Sequence, residues 1–173
     1  PMNRAFRALG KPTIAAVNGF AITGGMELAL NCEILAGSTN ARFADTHARV
    51  GIVPGWGMSQ ILPRLIGPVR ARFMSYTGNF VDAQTAKSWG LLLDVVPPAE
   101  LLPYCRKLGA EIASCDQATL RDVRYLINNG LASNLAEGLE LEGRMSKAAI
   151  KRIDTSSFAA TREAVMARGK KQQ

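Results

Sequence analysis

The amino-acid sequence predicts an α/β protein, and three observations point to that class. A short apolar run typical of a β-strand, 13–17, leads through two glycines into an apolar helical segment at 26–30. A second strand-like run lies at 91–96. Beyond residue 57, most of the chain carries apolar residues at helical spacing. Strands that alternate with helices are typical of α/β folds.

The helices are predicted from apolar periodicity and from residues typical of helix ends. They are expected at 2–9, 58–65, 68–76, 82–89, 98–113, 117–129 and 134–150. Asp82 is a suitable N-cap for the fourth, because a carboxylate accepts hydrogen bonds from the first amides of a helix. The apolar stripes of the last three contain Leu101, Cys105, Leu108, Ile112, Leu120, Val123, Ile127, Leu135, Leu139, Leu141 and Met145.

The turn at Gly24 and Gly25 is the most informative stretch for function. A strand that turns through glycines into a helix leaves backbone N–H groups unsatisfied at the helix start, with the positive end of the helix dipole behind them. Glu27 stands beside them among apolar neighbours and shares a helix face with Asn31. The pattern predicts an oxyanion site with a glutamate suited to proton transfer. The alternative is a glutamate that merely complements the helix dipole.

The glycine turn belongs to a longer, ordered series of motifs. The blocks are KPTIAAVNGFAITGGMELALNCE at 11–33, ARFAD at 41–45, VGIVPGWG at 50–57, TG at 77–78, DAQTA at 82–86, WGLL at 89–92 and VVP at 95–97. This series resembles the crotonase superfamily, the enoyl-CoA hydratases and isomerases. It covers nearly the whole chain, so it is far more specific than any one motif. The resemblance implies a spiral of ββα units with helices packed outside and a coenzyme A thioester as substrate.

The resemblance also implies roles for individual residues. Gly24 matches a position whose backbone N–H holds the thioester oxygen as an enolate, and Glu27 matches one of two acid/base glutamates of the hydratases. Gly55 matches a glycine whose backbone helps to place the water.

Four residues are expected to contact the substrate, namely Gly25, Pro54, Trp56 and Lys170. Trp56 is expected either to wall the acyl pocket or to pack in the core. Lys170 belongs to the lysine-rich last helix, for which the resemblance suggests binding of coenzyme A phosphates.

The chain departs from the family at the second acid/base position. Where the hydratases carry their second glutamate, this chain has His47, its only histidine. An imidazole exchanges a proton near neutral pH, so His47 is expected to pair with Glu27. The alternative is a histidine with a surface or core role. Asp45, two residues earlier, is a substitute for the missing catalytic carboxylate, a partner that orients the imidazole, or a cap for the following turn.

These features favour an enoyl-CoA hydratase of fatty acid metabolism, which adds water across the 2,3 double bond of the thioester. Two alternatives stay open: an isomerase that uses Glu27 alone, and a non-catalytic acyl-CoA-binding paralogue. The resemblance implies no cofactor, because coenzyme A is part of the substrate. No metal site is expected, since Cys32, Cys105 and Cys115 lack the spacing of metal ligands.

The family pattern divides the chain into two regions. Residues 1–97 are expected to form the C-terminal part of the spiral core, and residues 98–173 a helical region that builds a homotrimer or a dimer of trimers. A substantial N-terminal portion of the family pattern, including the first oxyanion N–H, is expected to be missing. The chain as written is therefore not expected to complete the site by itself.

Charge and composition restrict the remaining classes. The formal net charge is +7, and most of it lies from Arg144 onward. This basic tail is expected to be a solvated end or a site for coenzyme A phosphates, and nucleic-acid binding is disfavoured because no basic motif interleaved with aromatic residues is present. No apolar run is long enough to span a bilayer, and the odd number of cysteines indicates reduced thiols. A cytoplasmic protein is predicted.

Overall fold

The computed structural model describes residues 2–152 and 158–171. The strands are β1 Ile14–Val17, β2 Phe20–Ile22, β3 Ile34–Ser38, β4 Arg42–Ala44, β5 Val81–Asp82 and β6 Asp94–Val96. The helices are α1 Met2–Ala8, α2 Gly24–Leu30, α3 His47–Val50, α4 Met58–Ile66, α5 Pro68–Thr77, α6 Ala83–Ser88, α7 Leu101–Ala113, α8 Gln117–Gly130, α9 Leu135–Ile150 and α10 Phe158–Lys171. The chain divides into two compact units between residues 115 and 116.

The first unit contains two three-stranded sheets. In one sheet β3 lies between β1 and β6, and all three strands are parallel. In the other β4 lies between β2, which is parallel to it, and β5, which is antiparallel. β1, β2 and α2 form one ββα unit, and β3, β4 and α3 form the next, joined to it by parallel pairing in both sheets. The predicted α/β class is confirmed, and the element order contains the ββα unit.

The core of the first unit includes one buried helix, α2, that also buries a carboxylate. Both sheets and helices α2, α4 and α5 contribute apolar residues to this core. Helix α2 buries Met26, Ala29 and Leu30, and the same helix buries Glu27. The sequence therefore predicts correctly that α2 is a buried helix with one ionisable group.

The strand predicted at 91–96 is shorter in the structure. It is confined to Asp94–Val96, because Leu91 and Leu92 turn into the core directly after Gly90, which adopts a φ of +85°. The sequence does not predict β2, β3, β4 or β5 individually. β2, β4 and β5 have only two or three residues, too few for a clear alternation of apolar and polar positions, and in β3 a glycine and a serine end the apolar run.

The helices agree more closely with the predictions. The N-cap role of Asp82 is confirmed, since its Oδ1 accepts a hydrogen bond from the Thr85 amide at 2.8 Å. The helix predicted at 98–113 begins at Leu101, because Pro98–Glu100 forms a 3-10 turn.

The second unit is helical. Residues 153–157, within the basic tail, lie outside the described residues. Along the predicted stripes, Val123, Ile127, Leu135 and Leu139 are between 44% and 78% exposed. The boundary between the two compact units falls after residue 115. The sequence predicts a domain boundary after residue 97, and that boundary stays a prediction. None of the helices in the described part combines the length and apolar character that a bilayer crossing requires.

Candidate active site

Parallel pairing of β2 with β4 positions the candidate site. Ile22 lies opposite Ala44, so the two strands end side by side, and each is followed closely by a helix, α2 and α3 respectively. The Thr23 amide donates to the Ala44 carbonyl at 3.0 Å, which extends the pairing past the strand ends. Side chains from the starts of both helices therefore meet at the carboxyl edge of the sheet, where parallel α/β sheets usually bind ligands.

Glu27 is a buried carboxylate held by two backbone amides. Its exposed fraction is 3%. Its Oε1 accepts hydrogen bonds from the Trp56 amide at 2.7 Å and from the Met58 amide at 3.2 Å. A buried carboxylate needs such donors, because the loss of hydration is costly unless other hydrogen bonds replace it. One oxygen is thus anchored to the protein, and Oε2 is directed towards His47.

His47 lies beside the second oxygen of Glu27. Its Nε2 is 3.6 Å from Glu27 Oε2, and its Nδ1 is 2.6 Å from Oδ1 of Asp45. His47 is 6% exposed and Asp45 1%. The imidazole therefore lies between two buried carboxylates. In the described ranges no group of histidine, cysteine and acidic side chains is arranged to hold a metal ion.

Asn31 connects the loop after α3 to helix α2. Its Nδ2 donates to the Glu27 carbonyl at 2.8 Å and to the Trp56 carbonyl at 2.9 Å. The predicted shared face of Glu27 and Asn31 is confirmed, because both side chains bond to the main chain of the same loop. These contacts hold the segment that supplies the amide donors of Glu27.

The turn into α2 is strained at Thr23. This residue has a φ of 51° and is the one non-glycine residue with positive φ in the described part of the chain. Such a conformation costs on the order of 1–3 kcal/mol and persists only where the surroundings hold it. A hydrogen bond joins the Thr23 and Thr46 hydroxyls, and the Thr46 amide lies 3.4 Å from Thr23 Oγ1. The strain lies immediately before Gly24.

Trp56 lies over Gly24 and does not pack in the core. The residue is 41% exposed, and a Cβ added to Gly24 would lie 3.6 Å from its ring. Core packing, one of the two alternatives for Trp56, is therefore wrong. Pro54 and Gly55 precede Trp56 in the same loop, and a Cβ added to Gly55 would meet no atom within 4 Å. Three of the sequence-predicted residues thus lie in one loop beside Glu27.

Gly25 and Lys170 are the two remaining residues that are expected to contact the substrate. Gly25 borders a groove of about 500 Å³ that is lined by residues of α1, β1, β2 and α2 but by neither Glu27 nor His47. Lys170 is exposed on α10, in the second compact unit. Their contacts with substrate stay predictions.

Sequence reasoning missed Thr23, Thr46 and Met58. A threonine gives no sequence signal that its φ is positive, and Met58 acts through its main-chain amide. The available signal was the repeated order of strand, short connection and helix, which brings Thr23 and Thr46 to equivalent places after β2 and β4.

Comparison with known proteins shows the class of this chain. The sequence model of the enoyl-CoA hydratase/isomerase family matches residues 2–167. The chain belongs to this family.

Three similar proteins indicate how much of a family member is present. The probable enoyl-CoA hydratase 1, peroxisomal, of Arabidopsis thaliana is 40% identical over 163 residues, which are 94% of this chain and 62% of that protein. A crotonyl-CoA hydratase of Syntrophomonas wolfei is 40% identical over 139 residues, covering 80% of this chain and 54% of that protein. A crystal structure of an enoyl-CoA hydratase from Bacillus anthracis superposes with a TM-score of 0.86 at 33% identity, covering 94% of this chain and 64% of that one. The chain thus spans less than two thirds of each.

Proposed function

We propose that the protein hydrates enoyl-CoA thioesters, with Glu27 and His47 as the acid/base pair. The observation that carries the proposal is the distance of 3.6 Å between Glu27 Oε2 and His47 Nε2. One water molecule can hydrogen-bond to two groups at that separation. Gly24, whose family position supplies an oxyanion N–H, begins the helix that carries Glu27.

The proposed reaction balances its protons across this pair. The water oxygen bonds to C3 of the enoyl thioester while one member of the pair takes the water proton. The electron pair of the double bond moves into an enolate, whose oxygen accepts a hydrogen bond from the Gly24 amide. The other member, which starts the cycle protonated, then gives its proton to C2, which yields a 3-hydroxyacyl thioester. Transfer of a proton from the first member to the second restores the starting state. A backbone donor needs no reorganisation as charge develops, and loss of one such donor typically costs about 3–4 kcal/mol of barrier.

The test is titration of the purified full-length protein with crotonyl-CoA, following both the loss of the conjugated thioester and ligand binding. A hydratase consumes the conjugated thioester. A parallel assay with a 3-enoyl-CoA identifies an isomerase, because conjugation then appears. Crotonyl-CoA that binds but is not consumed would overturn the proposal, and the second assay would separate the isomerase from the non-catalytic paralogue.

The same proposal includes an oligomer built through the second unit. The exposed apolar residues of α8 and α9, Val123, Ile127, Leu135 and Leu139, support a homotrimer or a dimer of trimers, because such faces are usually covered by another surface. Binding of coenzyme A phosphates by Lys170 is part of the proposal, supported by its exposed position on a basic helix.

A reducing compartment, such as the cytosol, is also proposed. It is supported by the three cysteines, Cys32, Cys105 and Cys115, none of which forms a disulfide in the described structure. The Arabidopsis relative, by contrast, is named as a peroxisomal protein.

A further inference from the structure

Asp45 accepts two hydrogen bonds from one residue. Its Oδ1 is 3.2 Å from the His47 amide, which donates to it, and 2.6 Å from His47 Nδ1. The first contact holds the main chain, and the second holds the rotation of the ring. Because Asp45 is buried, water does not compete for these contacts. The orientation of the imidazole is therefore strongly constrained.

The segment that carries Asp45 is itself anchored on both sides. The Thr46 amide and hydroxyl both contact the Thr23 hydroxyl. The His47 carbonyl accepts a hydrogen bond from the Ile52 amide at 3.0 Å. Asp45 thus acts from a backbone with defined geometry, which a group that positions another side chain requires.

The contact with Asp45 distinguishes the two ring nitrogens. An ionised carboxylate only accepts hydrogen bonds, and a neutral imidazole carries its proton on one nitrogen. With an ionised Asp45 and a neutral imidazole, the hydrogen bond between them places the proton on Nδ1, and Nε2 then faces Glu27 without one. Arg49, the basic residue of the same short helix, donates instead to the Thr77 carbonyl at 2.7 Å.

We infer that Asp45 is a positioning residue, which holds His47 in the tautomer protonated on Nδ1 and presents Nε2 to the water shared with Glu27. The inference deepens the proposed function, and it rests on that function for its effect on the rate. The tautomer is a property of the protein without substrate, so it is testable separately.

The test uses the fact that His47 is the only histidine. Protein labelled with 15N-histidine gives the signals of one imidazole, and long-range proton–nitrogen correlation spectra show which nitrogen carries the proton. We expect the proton on Nδ1 in the wild type. In Asp45→Leu, which removes the acceptor with a side chain of similar branching, we expect it on Nε2, where it can donate to Glu27.

The control is Asp82→Ala, which removes an exposed helix cap in the same unit and leaves the imidazole surroundings intact. Its histidine spectrum should match the wild type. A wild-type proton on Nε2 overturns the inference even if Asp45→Leu fails to fold, and an unchanged tautomer in a folded Asp45→Leu overturns it as well.

The rate is the second measurement. We expect Asp45→Leu to lower kcat for crotonyl-CoA hydration by about 10²-fold, as for loss of acid/base function, with KM within a few-fold. A changed tautomer with an unchanged kcat would overturn the positioning role. If the wild type does not hydrate crotonyl-CoA, the proposed function fails, while the spectra still decide what Asp45 does.

Discussion

At the scale of single residues, the two candidate acid/base groups are held in place by different kinds of hydrogen bond. The Glu27 carboxylate is held by main-chain amides from a loop 29 and 31 positions further on. His47 is held by a side chain two positions before it. The sequence predicts both residues and leaves Asp45 with three alternative roles. In the structure its carboxylate contacts both the ring and the amide of His47, so the orienting contact is present.

Glu27→Gln tests the proton role of the glutamate. The amide has nearly the same volume, and its oxygen can still accept from the Trp56 amide, so we expect acyl-CoA binding within a few-fold of the wild type. The glutamine amide cannot act as an acid or a base, so kcat should fall by about 10²-fold or more. Steady-state kinetics with crotonyl-CoA measure both quantities. Glu100→Gln, at an exposed glutamate, is the control, and an unchanged kcat in Glu27→Gln would remove Glu27 from the mechanism.

Replacing His47 with glutamate tests whether the imidazole fits its surroundings better than the carboxylate of the family. In His47→Glu the new side chain would lie beside the buried carboxylates of Asp45 and Glu27, and like charges at short distance oppose ionisation. We expect low kcat in His47→Glu and partial recovery when Asp45→Asn is added, because that change removes one charge. His47→Ala gives the kcat that remains with neither an imidazole nor a carboxylate at this position. If the kcat of the double variant does not exceed that of His47→Glu, repulsion between the carboxylates is not the cause of the low kcat.

At the scale of secondary-structure elements, a helix cap joins residues that are close in the sequence, whereas strand pairing joins residues that are far apart in it. Asp82 caps α6 through an amide three residues away, and the sequence predicts this cap correctly. The pairing of β2 with β4 joins residues 22 positions apart, as in Ile22 with Ala44. The sequence does not predict this pairing, although it brings α2 and α3 together.

Asp82→Ala should reduce the free energy of unfolding by about 1 kcal/mol at neutral pH, the usual cost of losing an N-cap. The Thr85 amide holds the pKa of Asp82 below its ordinary value of 3.8. A carboxyl whose pKa is lowered in the folded state contributes its full stabilisation at pH values above its ordinary pKa. That contribution to the free energy of unfolding disappears as the pH falls through the lowered pKa.

Urea unfolding at neutral and acidic pH measures this difference, which should shrink in acid. Asp82→Asn, which keeps an oxygen acceptor, should lose less stability than Asp82→Ala at neutral pH. Equal losses at both pH values for Asp82→Ala would contradict the capping explanation.

At the scale of the whole molecule, the second unit leaves apolar side chains in solvent. Leu135 and Leu139 on α9 are 78% and 59% exposed. An isolated exposed leucine is ordinary, whereas several along two neighbouring helices support the proposed interaction surface. That another subunit covers these side chains stays a prediction.

Leu139→Glu should weaken the proposed assembly, because burying an unpaired carboxylate in an apolar interface is costly. Analytical ultracentrifugation at micromolar concentration should show trimers or hexamers for the wild type and a shift towards monomers for the variant. Lys147→Glu, at an exposed position of the same helix, introduces the same residue and should assemble normally. A wild type that sediments as a monomer would contradict the proposed oligomer.

Features that depend on residues close in the chain are predictable from the sequence alone. These include the α/β class, the glycine turn into α2, the burial of Glu27 and the cap of α6. Each is encoded within a few positions, by apolar periodicity or by a residue type suited to a helix end. The family resemblance added His47 as the partner of Glu27, at a point where the local pattern alone left the histidine ambiguous.

How those features come together depends on contacts between residues far apart in the chain. The Thr23 to Thr46 contact joins residues 23 positions apart, and the Glu27 to Trp56 contact joins residues 29 apart. Both depend on the parallel pairing of two three-residue strands, β2 and β4, and strands this short carry too few side chains to be recognised by their period. The strain at Thr23 has the same origin, because distant hydrogen bonds hold its backbone.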